Sequence, residues 1–278
     1  MTHQPGATLE HEASQPRARG RVQVSSKLRD GRSVIDELAM SGSMKALFPR
    51  TDTTALDTML INTTGGVTGG DRFFIDAVAG PGTTLTVTTQ AAERAYAARG
   101  DTAGRIETHL SVAPDARLNW LPQETILFEH MNFERSLTVD LDPGARFLMV
   151  EPIILGRVAM GERIHDGRFR DRVAIRVGGQ AVYLDGVALT GDVDAQMSTA
   201  STLNGARAIA ALVYVGADAE AWLEPMRRLM PETGGVSLQS PDLLTCRIVA
   251  ADGFALRRAL VPAIRLMNDD EIPRPWML

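Results

Sequence analysis

Apolar and polar residues alternate along much of the first two thirds of the chain, which is typical of strands with one buried face. Between residues 105 and 112, every second residue from Ile106 to Val112 is apolar or a threonine, and Glu107, His109 and Ser111 lie between them. Further segments of strand character are 33–38, 72–79, 83–88, 137–141, 146–151, 173–177 and 180–185. Turn-forming residues separate these segments, so we predict stacked or wrapped β-sheets.

The last third of the chain changes from alternation to helical spacing. Trp222, Met226 and Met230 lie on one face of a helix predicted over residues 218–230. Asp252 can cap a second helix, whose apolar residues recur at near-helical spacing as far as Met267. The sequence therefore predicts a mostly β fold of stacked or wrapped sheets, with two α-helices near the C-terminus.

Composition excludes several classes of function. The 278 residues include 29 Lys and Arg against 34 Asp and Glu, and the formal charge of −5 argues against a general nucleic-acid binder. One cysteine, Cys246, cannot form an internal disulfide, and no secretory signal or membrane-spanning apolar run occurs. We expect a cytoplasmic protein with no membrane partner, in which residues 1–20 form a flexible tail and residues 21–278 form one domain.

The residues that common catalytic and metal sites require are scattered or missing. The chain has no G-x-S-x-G motif, no cysteine pair and no H-E-x-x-H motif, and its five histidines lie apart. The glycine-rich segment before Asp71 lacks the Gly-Lys-Ser/Thr of a phosphate loop. Carboxylates beside apolar residues are the remaining candidates, including Glu93, Glu124, Glu129 and Glu151. Structural ion pairs, a hydrolytic acid–base pair and a polar passage for an ion all remain open.

Four sequence segments occur in an order and at separations that resemble one known family. They read LINTTGGVTGGDRF (60–73), TQAAERAYA (89–97), WLPQETILFE (120–129) and EPIILGRVAMGE (151–162). KALFPR (45–50) and the closing IPRPWML (272–278) also match that family's beginning and end. Together they resemble the urease accessory protein family UreD, called UreH in some bacteria, from about Val22 to the C-terminus.

The resemblance implies a non-enzymatic assembly factor that helps to load nickel into apo-urease. It implies UreF and the GTPase UreG as protein partners, a β-helix-like wrapped fold, and Ni²⁺ in transit rather than a tightly bound cofactor. A route for an ion needs weak oxygen ligands, because several His or Cys ligands would not release nickel. On the matching blocks, the candidates for this route are Asp71, Glu93, Glu151 and Asp185.

Two other functions compete with nickel transfer. A β-fold hydrolase would use a carboxylate pair such as Glu124 and Glu151. A purely structural scaffold would hold UreF in place, and no ion would pass through it.

Overall fold

The computed structural model describes residues 16–157 and 160–277. Most of the flexible tail predicted for residues 1–20 therefore lies outside the described residues. The first strand, β1, begins at Arg19, which is two residues before the predicted domain boundary. In the part of the chain that is described, strands account for 52% of the structure.

The strands and helices follow one another in a simple order. The strands are β1 (Arg19–Arg29), β2 (Arg32–Gly42), β3 (Met44–Leu47), β4 (Leu56–Asn62), β5 (Arg72–Ala79), β6 (Thr84–Thr89), β7 (Glu93–Ala95), β8 (Gly104–Val112), β9 (Arg117–Leu121), β10 (Thr125–Leu127), β11 (Asn132–Leu141), β12 (Arg146–Leu155), β13 (Gly167–Val177), β14 (Gln180–Gly191), β15 (Ala208–Val215), β16 (Gly234–Ser240) and β17 (Leu243–Ala250). The helices are α1 (Val193–Met197), α2 (Ala219–Leu229) and α3 (Gly253–Met267), followed by a 3₁₀ turn, Arg274–Met277.

Two sheets face each other and the chain passes from one to the other. The first sheet has the order β14-β13-β11-β8-β5-β1-β2, and the second has the order β16-β17-β15-β12-β9-β6-β4-β3. Strands β5, β8, β11 and β13 run parallel in the first sheet, and β4, β6, β9 and β12 run parallel in the second. The result is a β-solenoid of about 4 turns. The prediction of a mostly β, wrapped fold is confirmed.

Buried and exposed residues alternate along a strand where one of its faces contacts water and the other contacts the core. Along β8, Ile106, Thr108 and Leu110 are buried, whereas His109 is exposed. The buried face of the first sheet packs against the second sheet in one apolar core, which includes Phe73, Phe133 and Phe147. Pairs such as Phe133 and Phe169 lie on neighbouring strands, with ring centroids 5.7 Å apart.

The predicted C-terminal helices cover the other face of the second sheet. Met226 of α2 and Leu256 and Ile264 of α3 pack with residues of β12, β15 and β17 in a second apolar core. The closing segment is part of this layer, because Trp276 is 1% exposed and its Nε1–H donates to the carbonyl oxygen of Leu121 at 2.9 Å. Strands β9, β12 and β15 of the second sheet are therefore buried on both faces. No helix in residues 16–157 or 160–277 is long and apolar enough to cross a membrane.

Candidate functional site

A cavity of about 230 Å³ lies between the two sheets, beside the turn that follows β4 and the segments that join β6 to β7 and β9 to β10. Two of the four predicted site residues, Glu93 and Glu151, line it together with Arg135. Its other polar lining residues are Asn62, Thr89, Gln90, Arg94, Thr108, Gln123, Thr125 and Ser136. The cavity thus brings together two carboxylates, two arginines and several neutral polar residues beside the apolar core of the solenoid.

Of the two carboxylates that line the cavity, that of Glu93 is less neutralised by positive charge. It begins β7, and its oxygens accept hydrogen bonds of 3.3 Å from the side-chain amide of Asn62. No Lys, Arg or His side chain of the described residues lies within 4.0 Å of it. Burial raises the pKa of Glu93 from its usual 4.5 to about 7, against smaller lowering effects that include the Asn62 hydrogen bond. Glu93 is therefore poised between its neutral and charged forms near neutral pH.

Glu151 is instead part of a buried ionic bridge that connects the two sheets. Its Oε1 accepts from Trp120 Nε1–H at 2.5 Å, and its Oε2 lies 2.5 Å from Arg135 Nη1. Arg135 also donates to both carboxylate oxygens of Asp171, at 3.0 and 2.5 Å. Trp120 and Glu151 belong to the second sheet, whereas Arg135 and Asp171 belong to the first. The bridge therefore ties the solenoid together across its core.

Opposite charges and burial act against each other in this bridge. Burial raises the pKa of Glu151, and Arg135 and the Trp120 hydrogen bond oppose that rise. Burial alone would lower the pKa of Arg135, but the carboxylates of Asp171 and Glu151 raise it above its usual value. Arg135 is consequently a fixed positive charge at the wall of the cavity.

Asp71 does not line the cavity and holds a turn together. Its Oδ1 accepts from the backbone N–H of Ala18 at 2.8 Å, and its Oδ2 accepts from that of Thr68 at 2.9 Å. The glycines before Asp71 allow the backbone conformation and the close packing of this turn. Gly65 has a φ of +75°, and a Cβ on Gly66 would lie 2.3 Å from Tyr96 Cε2. Asp71 nevertheless acts on the site at a distance, because its charge contributes to the raised pKa of Glu93.

Asp185 also lies outside the cavity. It belongs to β14, the edge strand of the first sheet, and accepts hydrogen bonds from the Tyr183 hydroxyl at 3.0 Å and from Arg247 Nη2 at 2.6 Å. Its carboxylate is thus committed to an ion pair that connects β14 with β17. Four carboxylates were predicted as one route, and the structure brings two of them together.

Glu124 and Glu129 occupy separate structural positions. Glu124 Oε1 accepts from Arg257 Nη1 of α3 at 2.9 Å, and the same guanidinium group donates to the carbonyl oxygen of Pro275. Glu129 accepts from the backbone N–H of His165 at 2.7 Å. Glu124 is not among the cavity residues that include Glu151, so the two do not form the acid–base pair that a hydrolase would need.

Other possible metal ligands are dispersed. Within residues 16–157 and 160–277, no group of three or more His, Cys, Asp or Glu side chains is arranged to hold a metal ion. Cys246 is buried, and burial raises the pKa of its thiol to about 12. The interpretation of Cys246 as a buried core residue is confirmed.

Sequence reasoning missed Arg135, Asp171 and Trp120. A usable signal exists in β11, where Arg135 occupies the same alternation phase as the buried residues Phe133 and Leu137. Asp171 occupies the equivalent phase in β13, directly opposite Arg135 in the parallel register. A charged residue at an inward position of a strand needs a buried partner, so both could have been identified as an ion pair.

Known proteins resemble this chain along nearly its whole length. A family model described as UreD urease accessory protein matches residues 18–277. A urease accessory protein UreD from Roseobacter denitrificans is 51% identical over 264 residues, covering 95% of this chain and 96% of the relative. Proteins of the same name from Ruegeria pomeroyi and Agrobacterium fabrum are 48% and 43% identical, covering 92% and 98% of this chain and 100% and 97% of their own lengths.

Proposed function

Since the chain belongs to the UreD urease accessory protein family, it has a role in urease maturation, and we propose that it does so by assisting nickel insertion into apo-urease. In this proposal it works in the cytoplasm as an assembly factor rather than as a catalyst. It binds apo-urease on one side and a complex of UreF and the GTPase UreG on another. Any GTP hydrolysis then belongs to the partner.

One observation supports the nickel route most strongly: Glu93 and Glu151 line the same cavity. A carboxylate with a pKa of about 7 exchanges its proton readily at neutral pH, and a divalent cation can take the place of that proton. The hydroxyl and amide groups around Glu93 offer further weak ligands. Nickel prefers nitrogen-rich sites at equilibrium, so oxygen groups would hold it loosely and release it.

The environments of the four candidate carboxylates give them different places in this proposal. Glu93 contacts the passing ion directly, because no cation of the described residues neutralises it within 4.0 Å. Glu151 keeps Arg135 in position and offers at most a second, weaker contact. Asp71 and Asp185 act as supports, since backbone N–H groups and Arg247 respectively occupy their carboxylates.

A purely structural scaffold for UreF is the competing function, and a hydrolase is the more distant one. The committed ion pairs of Glu124 and Glu151 disfavour the hydrolase. The scaffold accounts for the ionic bridge but gives no reason for a half-buried Glu93 with no cation of the described residues within 4.0 Å.

The role in maturation is tested by co-expressing the urease genes with and without this gene. We expect urease subunits in normal amount but with little nickel when this gene is absent, and full nickel content when it is restored. Urease purified with normal nickel content from the deletion strain would contradict the proposal. Ester, amide or glycoside hydrolysis by the pure protein would favour the hydrolase instead.

A further inference from the structure

Arginines line up across the outer face of the first sheet. Parallel pairing places Arg19, Arg72 and Arg105 side by side on β1, β5 and β8. The same row continues through Glu134 of β11 to Arg170 of β13. All five belong to the alternation phase that faces away from the core. We call these residues the arginine row.

The adjacent row of the same face strengthens the positive charge. It carries Arg21, Phe74, Glu107, Ser136 and Arg172 in register. The two rows thus hold six arginines and two glutamates, although the whole chain has a formal charge of −5. Charge is segregated, and the outer face of the first sheet is the basic side of an acidic protein.

Few of these arginines are neutralised within the protein. Arg105 contacts Glu134 at 2.9 Å, and Arg21 contacts Asp76 at 2.8 Å. In the described part of the chain, Arg19, Arg72 and Arg170 have no carboxylate within 4.0 Å. Arg19 and Arg170 are exposed, so their guanidinium groups are available to a partner.

The fold alone does not require this arrangement. Neighbouring strands are about 4.8 Å apart, so three arginines in one row repel one another, and like charges opposite each other destabilise a sheet. Outward positions of a strand accept almost any polar residue. An external acidic surface would turn this repulsion into attraction.

From this geometry we infer that the arginine row is the surface on which the protein docks an acidic face of apo-urease. The inference rests on the proposed function and adds the surface that it uses. Guanidinium groups form bidentate hydrogen bonds with carboxylates, which suits a row of exposed arginines opposite Asp and Glu side chains. Phe74, 38% exposed in the adjacent row, supplies an apolar anchor at the same face.

A protein partner fits this face better than a nucleic acid does. A nucleic acid extends beyond any short contact, and the remaining acidic surface of the chain would repel its phosphates. Glu134 and Glu107 within the two rows would also oppose a continuous polyanion, but they can pair with basic residues of a mixed protein surface.

The test compares two double variants that change the net charge equally. Arg19→Glu with Arg170→Glu reverses charge in the arginine row. Arg228→Glu with Arg258→Glu reverses two exposed arginines on α2 and α3, in the helical layer that covers the second sheet. Binding of each full-length protein to purified apo-urease is measured at several salt concentrations, and circular dichroism confirms that each variant is folded.

We expect the row variant to bind apo-urease at least about tenfold more weakly, with a shallower salt dependence, and the helix variant to bind within about twofold of wild type. Equal binding by the row variant and wild type would overturn the inference and leave the proposed function intact. Absence of apo-urease binding by wild type would instead refute the proposed function. Tighter binding of wild type to duplex DNA than to apo-urease, lost in the row variant, would overturn the choice of a protein partner.

Discussion

Replacing Glu93 with glutamine should remove a pH dependence from the stability of the protein. An unfolded chain releases this proton near the usual pKa of 4.5, whereas burial raises the pKa of Glu93 in the folded protein to about 7. Between these values the folded state binds more protons than the unfolded state, so the free energy of unfolding falls as pH rises, and it levels off above pH 7. The difference between these two pKa values corresponds to roughly 3 kcal/mol in the free energy of unfolding.

Urea denaturation of wild type and Glu93→Gln at pH 5, 6, 7 and 8 measures this effect. Glutamine keeps the shape of the side chain and cannot ionise. We therefore expect the free energy of unfolding of the variant to exceed that of wild type by an amount that grows with pH and reaches roughly 3 kcal/mol at pH 8. Other buried groups titrate in the same pH range, such as Asp57, whose pKa burial raises to about 6. Their contribution to stability is the same in both proteins, so it cancels when the two are compared at each pH.

Glu162→Gln is the matched control, because hydrogen bonds from Arg157 lower the pKa of Glu162. Ionised Glu162 stabilises the folded wild type above the unfolded pKa of this residue, and this contribution is lost as pH falls. The Glu162→Gln variant should therefore be less stable than wild type at pH 7 and should approach wild type in acid. A stability difference between wild type and Glu93→Gln that stays constant from pH 5 to 8 would refute the account of Glu93.

Three further substitutions test the architecture around the site by urea denaturation. Arg135→Met leaves two buried carboxylates without their cation and should cost about 3–5 kcal/mol, whereas an unchanged midpoint would contradict the ionic bridge. Trp276→Ala empties a buried position under the C-terminal layer and should also cost about 3–5 kcal/mol. Gly66→Ala forces a Cβ to within 2.6 Å of the backbone carbonyl oxygen of Arg94 and 2.3 Å of a Tyr96 ring carbon, and it should destabilise more than Gly65→Ala, which meets only the roughly 1 kcal/mol penalty of a positive φ. Equal effects of the two glycine substitutions would contradict this packing.

Two strands of the first sheet, β5 and β8, could be predicted closely from the sequence because one face of each lies in water, whereas β1 was not predicted and β11 and β13 were predicted five and six residues short. Strand β5 was predicted at its observed bounds, and β8 within one residue, since apolar and polar residues alternate there. Strands of the second sheet are covered on both sides, so β9 and β15 carry nearly continuous buried residues with no period of two. Alternation contains no signal for such strands, and β12 was predicted four residues short for the same reason.

Individual residues of the candidate site could be predicted from the sequence, but which of them lie close together could not. Glu93 and Glu151 were identified from blocks that resemble the family, and the structure places them in one cavity. Their proximity depends on how successive turns of the solenoid stack, which local patterns do not encode. Asp71 was chosen on the same evidence, yet the backbone N–H groups of Thr68 in its turn and of Ala18 before β1 occupy its carboxylate.

The nickel content of urease matured with the Glu93→Gln protein shows whether nickel passes through the cavity. Cells would express the urease genes with wild type, Glu93→Gln or Asp185→Asn, the last altering a carboxylate outside the cavity. Co-purification of UreF and apo-urease is checked first, so that only variants that still form the complex are compared. We predict much less nickel per urease with Glu93→Gln and normal nickel with Asp185→Asn. Normal nickel content with Glu93→Gln would contradict the route through the cavity and favour a structural scaffold.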